Sequence, residues 1–363
     1  MSRRTLGDIL EDRHNSFNAV RLLAAGAVFV SHAYLIAPIG QHRQPLGGTA
    51  FDLGQLAVNV FFVLSGLMLS RSFALKPQLG SFVAARLLRI FPGLLVCGAV
   101  VAWVIGPLST NLSIADYFAS PATWLYPLLV PFFFSEPGLP GIFQFGKEAG
   151  QVNIPLWTVK YELLAYLSFL SIPLLRIFGS RLAIAALVAL FGALLIFSYR
   201  THAFDQSLIG SLVRFGFCFW LGMLAYLYRS HIQLDWPLAL CGVVLALWLS
   251  STILGQVASI TAFAYLGATL GGTHIPLLTR ATAQTDISYG FYLYSFPIQQ
   301  ALLARFGVTL PLALLMSLAA LLVTLIIAYL SWRWIERPAL SLKRSMQWPA
   351  LTPKPTPTAK PAN

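Results

Sequence analysis

The chemistry that this sequence could perform is indicated by a few charged or titratable side chains that interrupt apolar segments. A charged side chain at the centre of a membrane helix costs at least about 2.5–3.5 kcal/mol, so each such residue is a candidate for a functional role. The candidates are Arg21, His32, Lys160, Glu162 and Arg214. The remaining apolar segments carry almost no charge.

Arg21 and His32 share one apolar segment and are eleven positions apart. On a helix they lie about 16 Å apart along the axis and, after close to three turns, face nearly the same way. That face offers a fixed cation at one end and a titratable imidazole deep in the segment, which suits an anionic substrate with a long arm. The alternative is an arginine that reaches the membrane surface and a histidine hydrogen-bonded by a neighbouring helix.

Glu162 is the carboxylate that we expect nearest to His32. It lies about 7–8 Å inside the edge of its segment, and His32 lies about 10 Å inside the edge of its own. The similar depths allow a contact in which the carboxylate orients the imidazole and favours its charged form. The alternative is an ion pair of Glu162 with Lys160 or Arg214.

Arg86 and Arg89 are three positions apart and therefore neighbours on one helix face. Two adjacent guanidinium groups form a phosphate clamp, because each binds phosphate oxygens with charge-assisted hydrogen bonds. The alternative partner for this pair is an anionic lipid headgroup.

The composition identifies the class of protein that must hold these residues in place. The chain is 57% hydrophobic and only 10% charged, against about 25% charged in soluble domains. The chain has a net charge of +12, and its basic residues lie mainly in the gaps between apolar segments. This placement fits the positive-inside rule of membrane proteins better than nucleic-acid binding, and no nucleic-acid partner is expected. No phosphate-binding glycine loop, H-E-x-x-H motif or His cluster is present, so no metal centre is indicated.

We therefore predict an all-α polytopic membrane domain over residues 1–345 and a disordered Pro/Thr/Lys tail over residues 346–363. About ten transmembrane helices are expected, at residues 17–39, 51–70, 90–108, 157–175, 182–198, 208–228, 236–250, 257–270, 287–303 and 310–332. Seventeen Lys and Arg residues fall in the gaps on the side of the N-terminus and four in the other gaps. The positive-inside rule then predicts that both termini are cytoplasmic.

Six segments in this order resemble the membrane-bound acyltransferase family 3. The ordered set covers nearly the whole chain, although each segment is weak alone. They are NSFNAVR at 15–21 with His32 following, FFVLSG at 61–66, RLLRIFP at 86–92, LWTVKYE at 156–162, DISYGFYLYSFP at 286–297 and WIERP at 334–338.

The resemblance implies a multi-pass enzyme of the bacterial inner membrane, in contact with membrane lipids. It would transfer an acyl group, usually acetyl, from cytoplasmic acyl-CoA to a hydroxyl of a cell-envelope or exported glycan, or of a lipid-linked saccharide. Acyl-CoA is then a donor substrate, and no permanently bound cofactor is implied. The resemblance also implies roles for single residues: His32 as catalytic base or acyl relay, Glu162 in support, Arg21, Arg86 and Arg89 on the CoA phosphates, and Ser65, Trp157 and Tyr292 in substrate binding.

Three positions depart from the family pattern, and a second function class stays open. Asn18 stands where the family often has Asp, Lys160 replaces a usually neutral residue, and Ser295 stands where many members have His. The last difference favours a mechanism with a single histidine, or a subfamily with its own acceptor. The other class is a transporter or flippase for a lipid-linked glycan, with His32 and Glu162 as a proton relay.

Overall fold

The computed structural model describes residues 4–12, 15–36, 44–131, 138–144, 149–175, 177–204, 207–282, 285–306 and 310–343. Within these ranges the regular secondary structure is helical, with isolated β-bridges and no strand. The predicted all-α class is thus confirmed. The tail predicted at 346–363 lies outside the described residues.

The helices follow the chain with short connections. In order they are α1 (Leu6–Glu11), α2 (Phe17–Ile36), α3 (Leu53–Leu75), α4 (Leu79–Val100), α5 (Gly106–Ser109), α6 (Ile114–Ala119), α7 (Pro121–Leu129), α8 (Val159–Leu174), α9 (Arg181–Thr201), α10 (Leu208–Leu227), α11 (Trp236–Trp248), α12 (Gly255–Gly272), α13 (Pro276–Thr282), α14 (Ser288–Phe306), α15 (Leu310–Ser331) and α16 (Arg337–Leu342). π-helical turns at Val101–Ile105 and Trp332–Glu336 join α4 to α5 and α15 to α16, and a 3-10 turn at Ile154–Thr158 precedes α8.

A helix lies at each of the ten apolar segments predicted from the sequence. Among the described residues, six stretches are long and apolar enough to cross a membrane: Phe17–Ile36, Leu53–Leu75, Leu79–Ser109, Arg181–Thr201, Leu208–Leu227 and Leu315–Leu342. The chain is therefore a multi-pass membrane protein. Ten spans and cytoplasmic termini stay predictions, since α8 and α11 have only 16 and 13 residues and a span needs about 20.

Helices α3 and α10 cross at a pair of glycines that bring their backbones together. A Cβ atom on Gly66 would lie 2.0 Å from the carbonyl oxygen of Phe219, and one on Gly222 would lie 2.0 Å from that of Val63. Small residues permit this close packing, which is typical of helix pairs in membranes. The position of Gly66 fixes the direction in which the neighbouring Ser65 faces.

Helices α2 and α14 run side by side in the same direction, as successive contacts between them show. The rings of Phe29 and Phe291 lie 5.8 Å apart, and those of His32 and Phe296, further along both helices, lie 5.1 Å apart. Earlier along the chain, the Nδ2 of Asn18 donates to the backbone oxygen of Thr282, just before α14, at 3.0 Å. Phe296 on α14 therefore lies at the same depth as His32 on α2.

We predict that Gly66→Ala destabilises the protein by about 1–3 kcal/mol. The methyl group of the alanine would overlap a backbone oxygen, which cannot move away by a change of rotamer. The matched control is Gly26→Ala on α2, where a Cβ meets nothing within 4 Å. Alanine generally favours a helix over glycine, so this control should unfold at or above the wild-type temperature. Thermal unfolding of the purified proteins in detergent measures both, and equal stability of the two variants would contradict the close α3–α10 contact.

Candidate functional site

Helices α2, α3, α4, α8 and α14, with the chain from Trp332 to Lys343, line a cavity of about 430 Å³. This volume lies within the range of small-molecule sites. Along α3 the lining extends from Leu69 to Val58, so the cavity is about 16 Å long. Its charged lining residues are Arg21, Arg86, Arg89, Glu162, Asp286 and Lys343.

Asp286 holds two of the arginines at one end of the cavity. Its Oδ2 lies 2.7 Å from Nη1 of Arg21 and 2.7 Å from Nη2 of Arg89, while the Ser288 hydroxyl donates to its Oδ1 at 2.5 Å. Burial alone would raise the pKa of the Asp286 carboxyl, but Arg21 and Arg89 lower it from 3.8 to about 2. The carboxylate is therefore ionised at neutral pH and joins α2, α4 and the start of α14.

A second carboxylate, Glu336, approaches Arg89 from the π-helical turn that ends α15. Glu336 is fully buried, its Oε2 lies 3.4 Å from Nη1 of Arg89, and its Oε1 accepts a hydrogen bond from Ser331 at 3.1 Å. A π turn changes which residues of a helix face inward. A Cβ on Gly290 would lie 3.0 Å from Oε1 of Glu336, so glycine at this position permits the approach.

Arg86 also lines the cavity, but its surroundings differ from those of Arg89. Its guanidinium lies over the rings of Phe82 and Tyr166, at 5.6 and 5.8 Å from their centroids. Its buried Nε has no hydrogen-bond partner among the described residues. Burial lowers the pKa of the nearby Lys343 ammonium, and the charges of Arg86 and Lys76 lower it further. This end of the cavity therefore carries positive charge that Asp286 does not neutralise.

The structure does not bring Glu162 and His32 together, which corrects the contact expected from their similar depths. Glu162 lines the cavity and accepts a hydrogen bond from the Tyr166 hydroxyl, whereas His32 does not line it. In the described chain no hydrogen bond joins the two residues. Depth along two helices leaves their rotation free, and α8 turns Glu162 towards the cavity instead. The alternative partner Arg214 stacks on Phe215, at 4.6 Å from the ring centroid.

His32 is buried between α2 and α14. Its ring meets that of Phe296 edge-on at 5.1 Å, and its Nδ1 has no hydrogen-bond partner within the part of the chain that the structure describes. An imidazole with an unbonded ring nitrogen is able to accept a proton there or to bind a substrate group.

Two of the three expected substrate-binding residues line the cavity. Ser65 does so from α3, and Tyr292 from α14. The Tyr292 hydroxyl donates to the backbone oxygen of Pro155 at 2.8 Å and lies 2.7 Å from Oγ1 of Thr158. Trp157 is not a lining residue; it is 40% exposed and packs on Phe215 with ring centroids 5.7 Å apart. The prediction for Trp157 therefore finds no support in the cavity geometry.

Sequence reasoning assigned no role to Asp286, Glu336, Lys343 or Tyr166. Asp286 and Glu336 both lie in segments that carried the family resemblance, and each is an acidic residue beside a long apolar helix. Because Arg21 and Arg89 had no carboxylates assigned to them, their need for counter-charges is the signal that could have found both residues. Lys343 and Tyr166 gave no comparable signal.

The chain is similar to known proteins over most of its length. The family described as "Acyltransferase domain", acyltransferase family 3, matches residues 14–333. No solved structure matches the chain significantly.

Three curated relatives show similarity of different extent. Nodulation protein 10 of Rhizobium leguminosarum bv. viciae is 28% identical over 358 residues, which cover 92% of this chain and 95% of the relative. An O-acetyl transferase of Shigella phage Sf6 is 26% identical over 338 residues, which cover 91% of this chain and 97% of the relative. Acyltransferase MdmB of Streptomyces mycarofaciens is 29% identical over 188 residues, which cover 48% of this chain and 44% of the relative.

Asp286→Asn should lower the stability of the protein, since it leaves two arginine charges facing each other. Removing one partner of a fully buried pair costs about 3–5 kcal/mol, and we expect a smaller loss because the Arg21 side chain is 29% exposed. Thermal unfolding in detergent measures the loss, with the exposed Glu11→Gln as control.

The loss caused by Asp286→Asn should also depend on pH. A carboxyl group whose pKa is lowered by folding stabilises the protein above its unfolded pKa, and this contribution disappears as the pH falls through the folded value. The difference between wild type and variant should therefore be full at neutral pH and shrink between pH 3.8 and about 2. A difference that stays constant over this range would contradict the ion pairs.

Proposed function

The chain belongs to acyltransferase family 3 and is a membrane-bound O-acyltransferase, and on this premise we propose that acyl-CoA is its donor and a glycan hydroxyl its acceptor. The acceptor class is a cell-envelope or exported glycan, or a lipid-linked saccharide, and the membrane is the bacterial inner membrane. The printed name of the phage relative, O-acetyl transferase, supports acetyl as the acyl group. The cationic cavity is the observation that carries the proposal.

The cavity has a charge distribution that suits the phosphates of CoA. Four lining cations, Arg21, Arg86, Arg89 and Lys343, face two lining carboxylates, Glu162 and Asp286. Arg21 and Arg89 pair with Asp286, and Arg89 also lies near the buried Glu336. Arg86 and Lys343 form no ion pair within the described part of the chain. Guanidinium groups bind phosphate oxygens with two parallel hydrogen bonds. We assign Arg86 and Lys343 to direct phosphate binding, and Arg21 and Arg89 to the wall that supports it.

His32 is proposed as the general base. As the acceptor oxygen bonds to the thioester carbonyl carbon, His32 takes the hydroxyl proton; the carbon–sulfur bond then breaks, and the CoA thiolate leaves and is protonated. General-base assistance of this kind contributes about 10²–10⁴-fold. A covalent acyl relay on the same imidazole is the other route that we keep. Glu162, hydrogen-bonded to Tyr166, is proposed to shape the donor cavity.

A proton-coupled transporter is the competing function class. Its relay would require His32 and Glu162 to exchange a proton, and Glu162 instead bonds to Tyr166 inside the cavity. The geometry therefore offers no observation that favours transport over acyl transfer.

Arg86→Ala should weaken the binding of CoA by about tenfold or more, because a hydrogen bond to a charged group contributes about 1.5–3 kcal/mol. The matched control is Arg333→Ala, which removes an exposed arginine in the π-helical turn that follows α15. Isothermal titration with the protein in nanodiscs measures both affinities. An unchanged affinity in Arg86→Ala would assign this arginine to anionic lipid headgroups.

His32→Ala should reduce acetyl transfer by at least about 100-fold while leaving CoA affinity unchanged, since His32 lies outside the donor cavity. The control is His274→Ala, an exposed histidine before α13. Transfer from acetyl-CoA is measured with purified protein in nanodiscs, and monodisperse elution checks the fold. Folded His32→Ala with near-wild-type transfer would refute the mechanism.

A further inference from the structure

The lining of the donor cavity changes along its length from cationic to apolar and aromatic side chains. At one end lie Arg86 and Lys343, and at the other end the lining consists of Val58, Phe61 and Tyr292. A CoA thioester whose phosphates bind the cations must therefore direct its acyl group towards the aromatic end. The size of that end then decides which acyl groups fit.

The ring of Tyr292 lines the aromatic end, and three contacts hold it in place. Its hydroxyl donates to the backbone oxygen of Pro155 at 2.8 Å and lies 2.7 Å from Oγ1 of Thr158. Its ring meets that of Phe61 edge-on at 6.3 Å, and both rings pack on the apolar cluster around Val28. Displacing a side chain that is fixed by hydrogen bonds and packing is energetically unfavourable, so a larger ligand is not readily accommodated.

His32 lies about one helical turn further along than this ring. On α2, His32 follows Val28 by one turn, and on α14, Phe296 follows Tyr292 by one turn, about 6 Å along the axis. The rings of His32 and Phe296 are in contact. The acyl carbonyl that reacts near His32 must accordingly stand next to Tyr292, with its alkyl chain confined between Tyr292 and Phe61.

We propose that Tyr292 limits the length of the acyl chain, so that the site takes acetyl and other short acyl groups and excludes medium-length chains such as hexanoyl. This inference rests on the proposed function, because it takes acyl-CoA as the donor. Forcing additional methylene groups against a packed wall is strongly unfavourable. Tyr292 is thus a specificity-determining residue, whose role is steric.

The test compares the binding of CoA, acetyl-CoA and hexanoyl-CoA to the full-length protein in nanodiscs by isothermal titration calorimetry. In the wild type we expect hexanoyl-CoA to bind at least about tenfold more weakly than acetyl-CoA. In Tyr292→Ala the preference, taken as the ratio of the two affinities, should fall below about threefold. Phe61→Ala, which opens the opposite side of the same wall, should relax the preference likewise and serves if Tyr292→Ala does not fold.

Two further variants serve as controls for the Tyr292 hydroxyl and for the loss of a tyrosine elsewhere. Tyr292→Phe keeps the ring and should keep most of the preference for acetyl-CoA over hexanoyl-CoA. Tyr329→Ala removes a tyrosine that is 49% exposed on α15 and should leave this preference unchanged. Wild-type preference in Tyr292→Ala would overturn the inference, as would an equal loss in Tyr292→Phe. Absence of CoA binding to the wild type would instead overturn the proposed donor, and this inference with it.

Discussion

The structure depends on neutralising two arginines that lie among membrane helices. Arg21 and Arg89 belong to the first and third long apolar segments, and one oxygen of Asp286 lies 2.7 Å from each of them. Unpaired charges at this position would disfavour the folded state by several kcal/mol each. The carboxylate therefore fixes where α2, α4 and α14 meet, and the cavity between them exists because they meet there.

The same interaction places the arginines in different surroundings. Arg21 and Arg89 form ion pairs with Asp286, and Arg89 also lies near the fully buried Glu336. Arg86, one turn earlier on α4, stacks on aromatic rings, and its Nε has no hydrogen-bond partner among the described residues. Two arginines three residues apart thus lie in different surroundings, and only Arg89 is held in an ion pair with Asp286.

The sequence predicted the elements well because apolar length is a local property. The segment predicted at 208–228 is the helix Leu208–Leu227, and the one predicted at 236–250 is Trp236–Trp248. The cavity brings together most of the residues expected in the site, including Arg21, Arg86 and Glu162. The expected contact of His32 with Glu162 was wrong, since depth can be read from a sequence but helix rotation cannot. Asp286 gained its role only from partners 265 and 197 positions away.

The glycine contact between α3 and α10 sets the position of one cavity wall. Ser65 and Phe61 lie on a helix that touches its neighbour backbone to backbone at Gly66, and such a contact has no side chain that can change rotamer. A larger residue at Gly66 or Gly222 would therefore push the whole of α3 away from α10 and towards α14. The width of the cavity is thus set in part by residues that do not line it.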